Sequence, residues 1–393
     1  MKKTFNFASP FRFVILLGIV SLFSDITYEG ARSINGIFLG SLGASAVLIG
    51  VVSGLGELCG YGLRILSGLL SDKTQKYWLF TIVGYFVNLL AVPLLALAGN
   101  YKIAAFLIIL ERIGKAVRTP SRDVMLSYAG SSLGSGWAFG IHEAMDQIGA
   151  TIGPLFIALA LSFRGDLRMG YGFLAIPAIL AILALIFSRF SYPEPKDMLK
   201  KEEIIEIKGL NKNFYLYIVS ICFIAAGYVD FPLIAYHLQK ENIVASNIIP
   251  LFYSLAMISD ALSAIVFGKL FDKFGISVIL FGIFLSILFS PLVFLLGWEF
   301  ALVGMALWGI GMGIQESILR AQISKLVKAE KRGSAFGIFN AFYGFSWFLG
   351  SAAMGFLYTR SIIFLILFSI SAQLVAFVLI FFIRSQIEQN RQK

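Results

Sequence analysis

Cysteine and histidine are scarce in this sequence of 393 residues, which has two of each. Cys59 and Cys222 lie far apart in apolar segments, so they provide neither a disulfide framework nor the spaced ligand pattern of a zinc site. His142 and His237 are equally isolated. The sequence therefore offers no nucleophile–base set and no metal-ligand cluster. We predict that the protein is not an enzyme and uses no metal and no cofactor.

Charged residues are also scarce. They make up 14% of the chain, whereas 58% of the residues are hydrophobic, and a soluble domain usually has roughly 25% charged residues. The apolar residues form long blocks, such as 77–98, 171–190, 278–296 and 362–383, close to the ~20 residues with which a helix crosses a bilayer. These blocks do not alternate with a period of two, which argues against a barrel. We predict a polytopic α-helical protein in a lipid bilayer.

Long soluble loops are missing as well, so the chain has no room for a separate catalytic domain. Twelve spans are predicted near residues 11–39, 44–70, 78–98, 103–128, 136–161, 171–190, 214–238, 248–270, 276–296, 300–326, 334–358 and 362–383. Lys and Arg concentrate on one side of this arrangement, and this positive-inside bias places both termini in the cytoplasm. The net charge of +10 therefore reflects membrane topology and not a nucleic-acid partner. We expect a monomer in the inner (plasma) membrane of a prokaryote.

The chain consists of two related halves. Residues 191–213 are polar and contain two prolines, which predicts a cytoplasmic linker between a six-helix bundle of residues 1–190 and a second of residues 214–393. The sequence GLLSDK at 68–73 ends the second span, and GKLFDK at 268–273 ends the eighth. The tetrapeptide AFGI likewise opens the fifth span and the eleventh. Internal duplication is typical of secondary transporters, whose substrate site lies at the repeat interface near the midplane.

The pattern G-x-L-x-D-K, present in both halves, resembles the cytoplasmic loop motif of the major facilitator superfamily. The resemblance covers essentially the whole chain, through the helix count, the central linker, the repeat and the motif. The first copy has Gln75 where the family usually has glycine, whereas the second keeps Gly275. The resemblance implies twelve transmembrane helices in two pseudo-symmetric bundles. It also implies a secondary transporter that moves a small organic solute by alternating access.

The two loop motifs are the predicted gate. Glycine allows close helix approach, and an aspartate at a helix end can face the positive N-terminus of a neighbouring helix. We expect these contacts to hold the cytoplasmic side closed and to break when the halves rock. The alternative is a plain turn with a solvated aspartate. The predicted gating residues are Gly68, Asp72, Lys73, Gly268, Asp272 and Lys273.

Charged residues inside several predicted spans fall at helical spacing. In span 1, Asp25, Glu29 and Arg32 are separated by four and three residues, so they share one face of the helix. Span 4 carries a second stripe, and span 5 has a histidine and an aspartate four residues apart. Placing a charge at the bilayer centre costs about 2.5–3.5 kcal/mol, so we expect each of these residues to have a structural or functional role. The predicted coupling and substrate-cavity residues are Asp25, Glu29, Arg32, Arg112, Lys115, Arg118, His142, Asp146, Asp230, Glu316 and Arg320.

Two interpretations of these charges remain open. A carboxyl group in a low dielectric can take and release a proton near neutral pH, and an arginine can clamp an anionic group or replace a departed proton. Alternatively, the charges form a salt-bridge network that only holds helices together. Glu316 precedes Arg320 by four residues, which favours a pair within one helix. Aromatic residues that either line the cavity or pack helices are Tyr28, Tyr228, Phe231, Tyr253, Phe342, Tyr343 and Trp347.

The leading hypothesis is a proton-coupled secondary transporter. No phosphate-cradling G-x-x-x-x-G-K-(S/T) loop is present, so ATP does not drive it within this chain. Gly153-Pro154 in span 5 is similar to the core of the family's antiporter motif, which favours efflux by antiport. Proton-coupled uptake of an anionic or zwitterionic metabolite is the alternative. From other classes, an intramembrane enzyme and a non-transporting sensor or channel also remain open.

Overall fold

The computed structural model describes residues 9–133, 135–164, 166–195, 212–326 and 332–392, and within these ranges no β-strand occurs. The helices before the central linker are α1 (Pro10–Ser41), α2 (Ala46–Thr74), α3 (Tyr77–Leu94) with a short 3-10 helix (Leu95–Leu97), α4 (Tyr101–Leu133), α5 (Ser135–Arg164), α6 (Leu167–Phe173) and α7 (Ala175–Ser191). Those after it are α8 (Lys212–Ala226), α9 (Phe231–Lys240), α10 (Ile249–Phe274), α11 (Ser277–Leu295), α12 (Trp298–Gly313), a π-helical turn (Ile314–Ile318), α13 (Leu319–Leu326), α14 (Arg332–Arg360) and α15 (Ile362–Gln392).

The described chain has ten helical segments that are long and apolar enough to cross a membrane. Helices α4 and α14 are also of membrane length, with 33 and 29 residues. Helix α4 carries the predicted stripe of charged residues, and this stripe reduces its hydropathy. The predicted all-α membrane fold with twelve membrane-length helices is therefore confirmed.

Three spans that we predicted as single helices are interrupted. The sixth consists of α6 and α7, the seventh of α8 and α9, and the tenth contains the π-helical turn. In the seventh, the Asp230 carboxylate accepts a hydrogen bond from the Phe231 backbone N–H at 2.9 Å, and Pro232 lies in the first turn of α9. A capping aspartate and an early proline both favour a new helix start. Asp230, predicted as a coupling or substrate residue, thus caps a helix.

The described chain forms two compact units. Unit 1 comprises the described parts of Met1–Arg32 and Leu63–Ile204, and unit 2 those of Ser33–Gly62 and Ile205–Lys393. The boundaries fall inside α1 and α2. Each of these helices therefore contributes its cytoplasmic end, as the predicted topology assigns it, to unit 1 and its other end to unit 2. The predicted division into residues 1–190 and 214–393 stays a prediction.

Glycines bring helices into close contact within unit 1. A Cβ added at Gly114 of α4 would lie 2.8 Å from the Asn88 Cα atom of α3. A Cβ added at Gly153 of α5 would lie 2.6 Å from the Ile26 carbonyl oxygen of α1. Since real Cβ atoms do not approach so closely, a larger residue at either position would push the helices apart. These two crossings place side chains of α1, α3, α4 and α5 near one another.

Unit 2 contains similar crossings between residues 33–62 and later helices. A Cβ at Gly36 of α1 would collide with the backbone of Pro232 in α9. A Cβ at Gly54 of α2 would lie 2.9 Å from the Phe348 Cα atom of α14. The ends of α1 and α2 that belong to unit 2 are therefore tightly packed against α9 and α14.

Candidate functional site

Unit 1 contains a cluster of charged side chains from α1, α4 and α5. We call it the charged cluster, and its members are Asp25, Glu29, Lys115, Arg118, Arg122, His142 and Asp146. Six of these seven residues were predicted from the sequence as coupling or cavity residues. Arg122 belongs to the same predicted stripe on α4, but we had not assigned it to the site.

The close crossing of α1 and α5 positions the Asp25 carboxyl group. A Cβ added at Gly149 of α5 would lie 2.8 Å from the Asp25 Cβ atom. The Asp25 side chain is consequently only 3% exposed, and its Oδ2 atom has no hydrogen-bond partner among the described residues. The carboxylates of Asp146 and Glu29 and the cations Lys115 and Arg118 all interact electrostatically with it. Asp25 is therefore a buried acid between groups of both signs.

Two cations of α4 lie against aromatic rings rather than in tight ion pairs. The Lys115 Nζ atom is 3.9 Å from the Glu29 Oε1 atom and 4.1 Å from the centre of the Tyr28 ring. Arg118 is 1% exposed, and its Cζ atom lies 4.2 Å from the centre of the Tyr85 ring. Its Nε and Nη1 atoms have no acceptor among the described residues. A cation–π contact stabilises a buried cation without fixing it to one carboxylate, so Arg118 keeps donors for another acceptor.

Arg122 joins two aspartates. Its guanidinium group lies 2.8 Å from Asp123 Oδ1 and 4.0 Å from Asp146 Oδ2. The Nδ1 atom of His142 lies 3.5 Å from the same Asp146 oxygen, and the other carboxylate oxygen of Asp146 has no hydrogen-bond partner among the described residues. His142 is 3% exposed, and its Nε2 atom likewise has no partner there. This end of the charged cluster therefore combines held charges with polar atoms that remain available.

Arg112 pairs with a neighbour on its own helix. Its Nε atom is 3.3 Å from the Oε2 atom of its neighbour Glu111, and Asn88 of α3 donates a hydrogen bond to Glu111 Oε1 at 2.6 Å. These contacts tie α3 to α4. Arg32, the third predicted residue of α1, is 8% exposed. Sequence reasoning missed Asn88, although an asparagine within an apolar span was a visible signal.

Unit 2 has a different centre, made of aromatic rings. We call it the aromatic cluster. The Tyr228 ring centre lies 5.6 Å from that of Trp308 and 6.0 Å from that of Trp347, and Tyr343 lies 5.4 Å from Trp347. The full set is Tyr228, Phe231, Tyr253, Phe289, Trp308, Phe339, Tyr343 and Trp347. Five of these residues were named from the sequence as possible cavity or packing aromatics.

Hydrogen bonds to the backbone orient the rings of the aromatic cluster. The Tyr228 hydroxyl donates to the Trp308 carbonyl oxygen, and the Trp308 indole N–H donates to the Val229 carbonyl oxygen at 2.8 Å. Val229 lies in the break between α8 and α9, where a backbone carbonyl lacks a helical donor. The interruption of the seventh span thus helps to build the cluster.

The π-helical turn changes the environment of Glu316 and Arg320. We predicted a pair within a regular helix, and Glu316 lies in the π-helical turn Ile314–Ile318, whose spacing differs from that of an α-helix. The pair with Arg320 stays a prediction. Both side chains are within electrostatic reach of the Tyr343 hydroxyl. The structure therefore places both beside the aromatic cluster and not in the charged cluster.

The predicted gating motifs are at helix ends. Asp72 is exposed and accepts a hydrogen bond from the Tyr77 hydroxyl at 3.3 Å. A Cβ at Gly68 would lie 3.6 Å from Pro120, an ordinary contact, and one at Gly268 would meet nothing within 4 Å among the described residues. In the part of the chain that the structure describes, neither glycine is in a close helix crossing. The side chain of Asp272 lies outside the described residues. The gating role of the motifs stays a prediction.

A chain with twelve membrane-length helices and buried charges has the architecture of a membrane transporter. A family model described as the Major Facilitator Superfamily matches residues 17–351 and 216–393, and the chain belongs to this superfamily. It is a secondary transporter of that type.

Relatives with similar sequences cover most of the chain. An uncharacterized protein of Mycobacterium tuberculosis is 38% identical over 383 residues, which are 96% of this chain and 94% of that protein. An uncharacterized MFS-type transporter of Methanocaldococcus jannaschii is 29% identical over 364 residues, 88% of this chain and 89% of the relative.

Solved structures with low sequence identity share the fold. The nucleoside transporter NupG has a TM-score of 0.73 at 17% identity and covers 95% of this chain and 99% of its own. A POT family transporter in complex with a thioalcohol-conjugated peptide has a TM-score of 0.74 at 13% identity, with 96% of both chains covered. A bacterial homolog of the human lysosomal transporter Spinster reaches 0.73 at 14% identity and covers 96% of this chain and 97% of its own.

Proposed function

We propose that this protein is a proton-coupled transporter of a small organic solute in the inner membrane, with both termini in the cytoplasm. The observation that carries the proposal is the environment of Asp25. It is a buried carboxyl group on a membrane helix, with an oxygen that no described residue bonds and with charges of both signs around it. An ionisable residue inside a membrane is costly and marks a functional pathway. A superfamily member moves its solute by alternating access, and a buried titratable group can couple that cycle to protons.

In this proposal Asp25 carries the coupling proton. The nearby carboxylates Asp146 and Glu29 favour its neutral form, because like charges in a low dielectric repel. Lys115 and Arg118 favour its charged form. Because both influences act on one buried carboxyl group, movement of a cation changes its affinity for a proton. Arg118 is suited to that movement because it is held by rings and keeps free donors.

The direction of transport in the proposal is efflux by antiport. Gly153 of the Gly153-Pro154 pair contacts α1 at Ile26, next to the proposed proton carrier. A motif associated with antiporters thus packs directly on the helix that carries Asp25. In an antiporter the solute and the proton use the site in turn, so solute binding should release the proton.

Proteoliposomes that hold a pH-sensitive dye test the proposal. A panel of candidate solutes is added to the wild type, to Asp25→Asn and to the control Glu143→Gln, which neutralises an exposed carboxylate of α5. We expect a solute-triggered pH change in the wild type and in Glu143→Gln, and none in Asp25→Asn. A normal signal with an unchanged pH profile in Asp25→Asn would show that another group carries the proton.

The sign of the pH change distinguishes antiport from uptake symport. With solute loaded inside right-side-out vesicles, efflux by antiport acidifies the interior, whereas outward movement of a symported solute makes it more alkaline. Labelled solute that crosses without any pH change would point to a uniporter or a channel. The charged cluster would then be a structural network only.

A further inference from the structure

Two buried N–H donors in or beside the aromatic cluster of unit 2 have no acceptor among the described residues. They are the side-chain N–H of Trp347 at Nε1 and the amide NH₂ of Gln315 at Nε2. Trp347 is 1% exposed and Gln315 is 4% exposed. A buried donor without a partner is costly, and in native proteins such a group usually has a reason.

Tyr343 connects the two donors. Its hydroxyl donates to the Gln315 Oε1 atom at 3.1 Å, which orients the amide and directs the Gln315 NH₂ group away from that bond. The Tyr343 ring centre lies 5.4 Å from that of Trp347. Both donors therefore belong to one edge of the aromatic cluster, around a single tyrosine.

Three other polar groups of the aromatic cluster give the contrast. The Tyr228 hydroxyl, the Trp308 indole N–H and the Tyr343 hydroxyl all have acceptors. The donors that orient the rings therefore have acceptors. The Trp347 indole N–H and the Gln315 amide NH₂, both beside Tyr343, have none among the described residues.

Gln315 lies in an unusual backbone segment. The π-helical turn Ile314–Ile318 interrupts the tenth span, and turns of this kind are frequent at functional sites. The preceding Gly313 permits close packing against α10, since a Cβ there would lie 2.9 Å from the Asp260 Oδ1 atom. The turn therefore presents Gln315 beside the rings instead of continuing a regular helix.

The charges around these donors are mainly negative. Glu57, Glu316 and Arg320 interact electrostatically with Tyr343, and Asp260 and Glu316 interact with Tyr228. Three carboxylates and one guanidinium group disfavour an anionic ligand at this position. Aromatic walls suit a ring-bearing ligand, and N–H donors suit an oxygen acceptor.

We infer that Gln315 and Trp347 bind a carbonyl or hydroxyl oxygen of a non-anionic, ring-bearing solute beside the aromatic cluster. The inference rests on the proposed carrier function, because it assigns the chemical class of the transported solute. It is independent of proton coupling, since the residues that carry it belong to unit 2 and the proposed proton carrier belongs to unit 1.

Calorimetric binding to the purified full chain at fixed pH tests the inference without any proton gradient. The probes are two matched pairs, nicotinamide with nicotinate and benzyl alcohol with benzoate. In each pair the ring is the same and only the second compound is an anion. We expect the neutral compounds to bind more tightly than the anions, and Asp25→Asn to bind them as the wild type does.

Variants then identify the donors. Gln315→Glu keeps the acceptor for Tyr343 but removes the amide donors, and Trp347→Phe removes the indole N–H. Each should weaken binding of the neutral probes about two- to tenfold, the range for one lost hydrogen bond. The control Gln239→Glu makes the same chemical change at a glutamine whose amide donates to Ser246, outside the aromatic cluster, and should bind normally.

Several outcomes would overturn the inference. These are preference for the anions, no binding of any of the four probes, or unchanged binding in both donor variants. The last result would mean that the donors serve only ordered water. Loss of the pH signal in Asp25→Asn with intact probe binding would support both proposals. A normal pH signal in that variant would overturn the coupling proposal alone.

Discussion

The charged cluster of unit 1 and the aromatic cluster of unit 2 hold their side chains in place by different interactions. In the charged cluster Arg122 is held by Asp123 at 2.8 Å, but Lys115 is 3.9 Å from its carboxylate and Arg118 lies against an aromatic ring, so these two cations are held loosely. The aromatic cluster has rings fixed by hydrogen bonds to backbone carbonyl oxygens. The cations of the charged cluster can exchange ion-pair partners, whereas the rings of the aromatic cluster stay in fixed positions. The two related halves have thus kept a common loop motif while their buried chemistry has diverged.

The largest expected effect comes from breaking the charge balance of unit 1. Arg118→Leu should reduce coupled transport to the level of empty liposomes and lower the melting temperature, because the carboxylates near Asp25 lose a buried counter-charge. Adding Asp25→Asn to it should recover part of the melting temperature but no transport. The coupling free energy from this double-mutant cycle should be about 0.5–3 kcal/mol. Additive melting shifts would show that the two side chains do not interact.

Substitutions at helix crossings are the second way to test whether the two clusters have different roles. Gly153→Ala should destabilise the protein by about 1–3 kcal/mol, as overpacking does, and should change the pH dependence of transport. Gly311→Ala should instead weaken binding of neutral probes, because its Cβ would lie 3.1 Å from the Tyr228 Cε2 atom.

Gly60→Ala is the matched control for both crossings, since a Cβ there meets nothing within 4 Å among the described residues. It should leave transport and binding unchanged. Thermal unfolding in detergent, transport and calorimetry give the three measurements. If all three substitutions had equal effects, close packing at Gly153 and Gly311 would not explain them.

Replacing Trp308 or Trp347 by phenylalanine compares two indole N–H groups, and the expected effects on stability are smaller. Trp308→Phe should cost about 1–3 kcal/mol of stability, because the Val229 carbonyl oxygen loses its donor. Trp347→Phe should cost less, since its indole N–H has no acceptor among the described residues. Melting temperatures of the two variants check this order. A greater loss at Trp347 would mean that its indole N–H has a structural partner.

The smallest effect is expected at His142. Its Nδ1 atom lies 3.5 Å from Asp146, but Arg122 also holds that carboxylate. His142→Gln should therefore change transport less than about threefold, in keeping with one weak neutral hydrogen bond. Initial rates across a pH series measure the effect. Complete loss of coupling in this variant would move the proton carrier from Asp25 to the histidine.

Helical spacing explains why much of the charged cluster was predictable. Residues three and four apart share a helix face, and a lipid-facing surface cannot hold such a stripe, so the charged faces of α1, α4 and α5 had to meet protein. Other features were not predictable. Arg112 lies on the same helix but pairs with Glu111, because Asn88 from α3 holds that carboxylate in place. Contacts between spans are set by crossings that the spacing within one span does not specify.

The aromatic cluster was harder to foresee. Its rings were visible as candidates, but their roles depend on two irregular segments, the break before Asp230 and the turn Ile314–Ile318. A pattern of apolar residues predicts a continuous helix through both. Asp230 followed by Pro232 was a readable signal for the break. The π-helical turn has no comparable sequence signature, so the sequence did not predict it.

The unit boundaries inside α1 and α2 matter for anyone who divides this protein. A cut at the central linker would separate residues 33–62 from the helices they pack on in unit 2. The second fragment would then expose the backbone at Pro232 and Phe348, which Gly36 and Gly54 now cover. Co-expressed halves should therefore need each other to be stable. The sequence repeat and the compact units therefore do not share a boundary.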